Sequence, residues 1–322
     1  MRVAVALVVA LAVVAPRVDA KAFPKPKRGF QMKLGKWVVQ PLADTEVCEY
    51  RRLPNKKPVE MSGFALSMPP GAHHFAVWGY GGKTEDDSAF PKGLIESVGC
   101  VGLMKDDLFP QLLIPTQTWN TTYRFPPGVA LSLDARQQVW LNAHMRNGDA
   151  KSVAPKIKFN VIEAKPGTVR HHVAGFTVGN MSGIDIPAGG TQTLTSEWRA
   201  PTGLTILSLA SHTHSLGTHA SMEVVAADGT RTPIYENDDW THPRARDEPL
   251  TLAAGEKLRL TCSWKNPNAH VVKFGPETTD EMCFAIGFYY RTDDSPAPVV
   301  GPGCLPAKRG LLCPLAPAVA SQ

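Results

Sequence analysis

The chain has ten histidines in 322 residues, and their grouping says more than their number. His212 and His214 flank Thr213. On a strand, residues two apart share a face, so these two imidazoles can serve one ion. The stretch before them reads as that strand, with Leu204, Ile206, Ser208 and Ala210 on the histidine face and Leu207 and Leu209 on the other. His73 and His74 are adjacent, and neighbours on a regular strand point apart. They can reach one metal only at a bulge or a strand end, and Pro69-Pro70-Gly71 makes a strand start there. His171-His172 has the same spacing and reads as an ordinary pair without a metal role. His144 lies in Gln138–Arg146. It shares a face with Gln138, Trp140, Asn142 and Arg146, while Val139, Leu141, Ala143 and Met145 take the other, so it stands on the less apolar side, open to a ligand. Met282 heads the apolar series Phe284, Ile286, Phe288 and by itself reads as core. Its thioether is also a soft donor suited to Cu(I), and two imidazoles with one thioether would select copper over zinc or magnesium.

The elements that must position these residues are strands. Alternating polarity bounded by Gly, Pro, Asn and Asp dominates, and no stretch holds a 3.6-residue apolar period for long. Gln138–Arg146, Thr205–His214, Lys257–Trp264 and Met282–Tyr290 are clear cases, and 28 prolines and 27 glycines supply turns. An all-β chain built as two tandem antiparallel sandwiches follows, each of about 130–150 residues. Ala164-Lys165-Pro166-Gly167 interrupts two strand-like stretches near the middle. The expected division is an N-terminal domain over 37–165, a C-terminal domain over 166–292 and a Pro-rich tail over 293–322.

Met1-Arg2, the apolar run Val3 to Ala15 and Val18-Asp19-Ala20 form a secretory signal pattern over 1–20. The run falls short of the roughly 20 residues a membrane span needs, so no span is expected. A secreted or periplasmic protein follows. Losing Arg2, Arg17 and Asp19 takes the formal charge from +5 to +4, with basic residues spread rather than blocked, which gives no sign of a nucleic-acid partner. All six cysteines lie beyond the signal pattern, and three disulfides are expected in an oxidising compartment, among 15 possible pairings. Asn120-Thr121-Thr122 and Asn180-Met181-Ser182 are glycosylation sequons. No serine has a G-x-S-x-G setting, and no phosphate-binding or dinucleotide fingerprint occurs.

In order along the chain come Cys48-x4-Leu53-Pro54 leading to His73-His74, then His144, then His212-Thr213-His214-x2-Gly217, then Asp280-Glu281-Met282-Cys283 followed by Tyr289-Tyr290. This series resembles the ascorbate-dependent type II copper monooxygenases, the family of peptidylglycine α-hydroxylating monooxygenase and dopamine β-hydroxylase. The resemblance implies two jelly-roll-like sandwiches that each lend ligands to a different copper across a solvent-filled cleft. It places His73, His74 and His144 on the electron-transfer copper and His212, His214 and Met282 on the oxygen-binding copper, the last three being catalytic. It implies ascorbate as reductant, with one atom of O2 entering the substrate and the other leaving as water. It also pairs Cys262 with Cys283 and Cys48 with Cys100, leaving Cys304 for Cys313.

One departure bears on substrate. Where the peptide-amidating branch anchors a carboxylate with arginine, asparagine and tyrosine, this chain has Ala210, Phe284 and Ile286. A carboxylate there would lose its hydrogen-bond partners, a loss of several kcal/mol in order of magnitude, about 2–7. The expected substrate is small, uncharged or hydrophobic. Two alternatives use the same residues: a non-catalytic secreted copper-binding protein, and a zinc hydrolase or lyase in which His219 or His270 joins His212 and His214. His219 lies five residues beyond His214, so a continued strand would turn it to the opposite face.

Overall fold

The computed structural model describes residues 23–80, 87–88, 90–96, 110–180, 182–275, 277–293, 295, 305–307 and 310–312. The expected signal segment, Cys100, Cys304, Cys313 and most of the Pro-rich tail lie outside these residues. Among the described residues every regular element is a strand. Lys257–Lys265 shows why: Leu258, Leu260, Cys262 and Trp264 are buried while the alternating Lys257, Arg259, Thr261 and Ser263 are only partly so, the period of two that lets one face pack and the other meet water.

The N-terminal half pairs two sheets. One runs in the order Gly29–Lys33, Lys158–Glu163, Val59–Ser67, Val129–Leu133, His171–His172, with Asn120–Arg124 also on Val59–Ser67. The other runs Leu94–Glu96, Asp44–Arg52, Gln138–Arg146, Ala72–Tyr80, Pro110–Thr116. In the C-terminal half one sheet is ordered Ala174–Asn180, Cys283–Arg291, Leu204–His212, Leu250–Leu252, and the facing one Thr191–Arg199, Lys257–Lys265, Gly217–Val225, Arg231–Asn237. Among the described strands pairing is antiparallel except for His171–His172, which lies parallel to Val129–Leu133; an isolated parallel bridge also joins Phe274 and Glu281. The protein is therefore two antiparallel β-sandwiches in tandem, as the alternation predicts.

Each half has its own core. Met61, Phe75, Leu131, Leu141 and Phe159 fill the first; Phe176, Ile186, Leu260 and Trp264 fill the second. The halves are also packed together. Leu207 and Phe288, on strands of the C-terminal sheet, belong to the N-terminal core. Phe288 meets Tyr123 and Phe125 with ring centroids 5.9 Å and 5.1 Å apart, contacts worth about 0.5–1.5 kcal/mol each beyond their area.

Candidate metal centre

The adjacent pair His73-His74 opens the strand Ala72–Tyr80, and the pairing with Gln138–Arg146 shifts register between Ala72 and His74. His73 occupies this irregularity, which lets neighbours turn toward one region. Gly71 makes the entry possible. Its φ is +89°, and a Cβ there would lie 2.7 Å from the Arg146 carbonyl oxygen. His144 is the direct cross-strand partner of His74. The three rings form a near-equilateral triangle, with centroids 5.3 to 5.4 Å apart. One ligand atom from each lies within 4.8 Å of the others.

His212 ends the strand Leu204–His212, and His214 sits in the turn that follows, closed by the Gly217 N–H donating to the His214 carbonyl. Gly217 is required by space, because a Cβ there would meet Thr213 Oγ1 at 2.4 Å. The His212 and His214 rings are 5.2 Å apart at 88°. One detail departs from the sequence reading. A register shift between Ile206 and Ser208 changes the alternation, so Leu204, Ile206 and Leu209 enter the C-terminal core, and Leu204 and Ile206 do not share the histidine face. Ala210 and Ile286 are register partners, as are His212 and Phe284. These four therefore stand on one face, with Phe284 buried and Ala210 and Ile286 half-buried. Met282 precedes the strand Cys283–Arg291 and is half-buried.

The two groups of histidines are not separated by an open cleft. His73 lies 6.2 Å from both His212 and His214, and His74 lies 6.4 Å from His212, centroid to centroid. The face expected to be open is closed, with His73, His144 and His214 all buried. The physical reason lies in contacts made across the halves. Asp44, on Asp44–Arg52, accepts from His144 Nε2 and from the Thr278 hydroxyl. Gln117 Oε1 accepts from His212 Nδ1 at 3.2 Å, and its amide reaches the Trp240 carbonyl at 3.4 Å. The Trp240 ring lies 5.3 Å from His73 and under the Arg146 guanidinium, so it covers the centre from the C-terminal side.

The imidazoles are held as metal ligands are held. His74 Nε2 donates to Asn142 Oδ1 at 2.6 Å, His144 Nε2 to Asp44, His212 Nδ1 to Gln117, and His214 Nδ1 to the Asp280 carbonyl at 3.2 Å. A ring whose N–H is fixed by an oxygen presents the lone pair of its other nitrogen. His73 Nε2, His74 Nδ1 and His144 Nδ1 are buried without a hydrogen-bond partner, a costly state that a bound cation relieves. The three fit a copper ion, and an all-imidazole set suits one that changes oxidation state.

Electrostatics keep His73, His212 and His214 neutral. Burial, reinforced by His74, His212, His144 and His214, holds His73 far below the usual histidine range. Burial pushes His214 down to about 4 although the Asp280 and Glu277 carbonyls oppose it, and it lowers His212 well below normal. Burial alone would raise Asp44, but hydrogen bonds with His144 and Thr278 and the charges of His144 and Arg146 leave its carboxyl below the usual range.

Other sequence candidates lie elsewhere. His171 stacks on Tyr290, and His172 faces Glu60 at 3.3 Å. His219 Nδ1 pairs at the surface with Asp238 at 2.6 Å. The backbone carbonyl of His270 accepts from the Asn266 amide. Cys262 and Cys283 form a disulfide, and Cys48 is disulfide-bonded to a residue outside those described. Asp44, Gln117, Asn142, Trp240 and Glu281 are supporting residues the sequence reading did not single out. Only Asn142, two residues before His144 on the same face, and Glu281, beside Met282, carried a local signal.

A pair of β-sandwiches with oxygen-oriented imidazoles gathered between them is an arrangement that suits a metal centre. Residues 191–300 match the family described as "Copper type II ascorbate-dependent monooxygenase, C-terminal domain", in agreement with the resemblance that the histidine and methionine motifs carry. Copper and ascorbate dependence and monooxygenase chemistry are the family's kind of function. Nothing among curated proteins matches the chain. Among solved structures it is similar to the STIV MCP, with 8% identity and a TM-score of 0.35 over 83% of this chain and 98% of that one. It is also similar to PNGase F, a glycosylasparaginase from Flavobacterium meningosepticum, with 11% identity and a TM-score of 0.28 over 87% of this chain and 96% of that one.

Proposed function

We propose that the protein is a secreted copper monooxygenase that hydroxylates a C–H bond of an uncharged or apolar substrate with O2 and ascorbate. His73, His74 and His144 hold the electron-transfer copper, and His212, His214 and Met282 hold the oxygen-binding copper. The observation that carries this reading is the set of four imidazoles whose N–H groups are each taken by an oxygen while buried nitrogens of the cluster remain without partners. Bound copper supplies the redox chemistry and oxygen activation that no side chain provides. The chain's own residues do the rest. Asp44, Asn142, Gln117 and the Asp280 carbonyl fix tautomer and ring orientation. Trp240 and the packed halves exclude water from His73. Ala210, Phe284 and Ile286, on the face of His212, provide an apolar seat that offers a carboxylate no partner.

The test is copper-dependent O2 uptake with ascorbate across hydrophobic, aromatic and peptidyl substrates. Coupled hydroxylation of an apolar compound that disappears in Met282→Ala is the expected result. Two coppers bound with no coupled turnover on any substrate would mean a binding protein instead. Turnover of a glycine-extended peptide at a rate matching the apolar substrates would overturn the substrate assignment.

A further inference from the structure

Glu281 is fully buried, yet no Lys or Arg pairs with it among the described residues. Its carboxylate is instead surrounded by N–H donors. Oε2 accepts from the His214 backbone N–H at 2.9 Å, from Trp264 Nε1 at 2.7 Å and from the Met282 backbone N–H at 3.3 Å, while Oε1 accepts from the Leu216 N–H at 2.6 Å. A carboxylate only accepts, so four converging donors suit it and suit no neutral side chain equally well. The preceding residue adds a fifth tie, because the Asp280 carbonyl receives His214 Nδ1. Burying a charge is costly, and a turn can be closed more cheaply by a neutral acceptor.

What this group does that a neutral turn-closer would not is join two distant segments at one atom. His214 and Met282 are remote in sequence, and both backbone N–H groups end on Oε2 of Glu281. Trp264 brings the facing sheet to the same oxygen, two residues from Cys262, whose disulfide to Cys283 lies next to Met282. We infer that Glu281 is a positioning residue which sets the His214 imidazole and the Met282 thioether at a fixed separation, so that both can bind one copper. This rests on the ligand set proposed above.

The test uses the full chain loaded with Cu(I). X-ray absorption reads whether sulfur is bound to copper, and a chelator competition reads affinity. Wild type is expected to show the copper–sulfur signature, and Met282→Ala is expected to lose it. Glu281→Gln keeps an acceptor for one side but turns an NH2 toward Leu216 N–H. It should retain its far-ultraviolet spectrum and copper at His73, His74 and His144, yet lose the sulfur signature, with affinity at the second site falling roughly 10- to 100-fold. Glu281→Asp, which keeps the charge but is shorter, should recover part of both. A folded Glu281→Gln with wild-type signature and affinity overturns the positioning role alone. A wild type without the signature overturns the ligand set and this role together. Should Glu281→Gln fail to fold, Trp264→Phe removes one donor from the same oxygen. A smaller fall in Cu(I) affinity then supports the role, and unchanged affinity overturns it.

Discussion

Replacing His214 should make the metal-free protein less sensitive to acid. His214 is 1% exposed, and burial sets its folded pKa at about 4, against 6.5 for a free histidine. Between these values the unfolded chain binds the proton and the folded chain does not. Stability is therefore complete above about pH 6.5 and is lost as the pH falls toward 4, below which this residue causes no further change. A difference of about 2.5 units corresponds to about 3 kcal/mol of lost stability. His214→Gln has no such group, so its stability relative to wild type should rise by about 3 kcal/mol between pH 7 and pH 4, whatever the packing change costs at neutral pH. The measurement is denaturant unfolding of both proteins with copper chelated, at intervals of half a pH unit. Glu281, whose carboxyl burial pushes up to about 7, adds a slope of opposite sign, but it is present in both proteins and cancels in the difference. A difference that stays constant within about 0.5 kcal/mol over that range would refute the claim that His214 is kept neutral by burial.

Asp44→Asn should weaken copper binding at His73, His74 and His144 by roughly 10- to 100-fold in a chelator competition, because His144 loses the carboxylate that orients it. The Cys262–Cys283 disulfide closes a loop of sequence separation 21, so replacing both cysteines by serine should lower unfolding free energy by about 3 kcal/mol in denaturant titration. With Cu(II) at both groups, the ring separations of 6.2 to 6.4 Å predict spin–spin broadening in frozen-solution paramagnetic resonance. Two sharp, independent spectra with full intensity would mean that the groups lie far apart in solution.

Much of the fold was legible because alternation is local. Gln138–Arg146 and Lys257–Lys265 announce themselves through every second residue, and the need for an irregularity at His73-His74 follows from two adjacent side chains serving one ion. The irregularity between Ile206 and Ser208 was not legible. An extra residue in a strand leaves no compositional mark there, and it sends Leu204 and Ile206 away from the face that the simple period gives them. The contacts that close the centre were invisible for another reason. Asp44 and Thr278, or Gln117 and His212, meet only because two separately folded sheets dock, and nothing near either residue encodes its partner. The reading of Met282 as a ligand rests on the family resemblance alone, since its own surroundings read as core.

The aromatic seam between the halves has a consequence for how the chain comes to be folded at all. A C-terminal half made alone would present Leu207 and Phe288 to water. An N-terminal half ending at residue 165 would lack the parallel edge strand His171–His172. Each half thus acts as the other's last layer. Synthesis would carry a sticky, half-finished first sandwich until the second emerges, although His73, His74 and His144 all belong to the part made first.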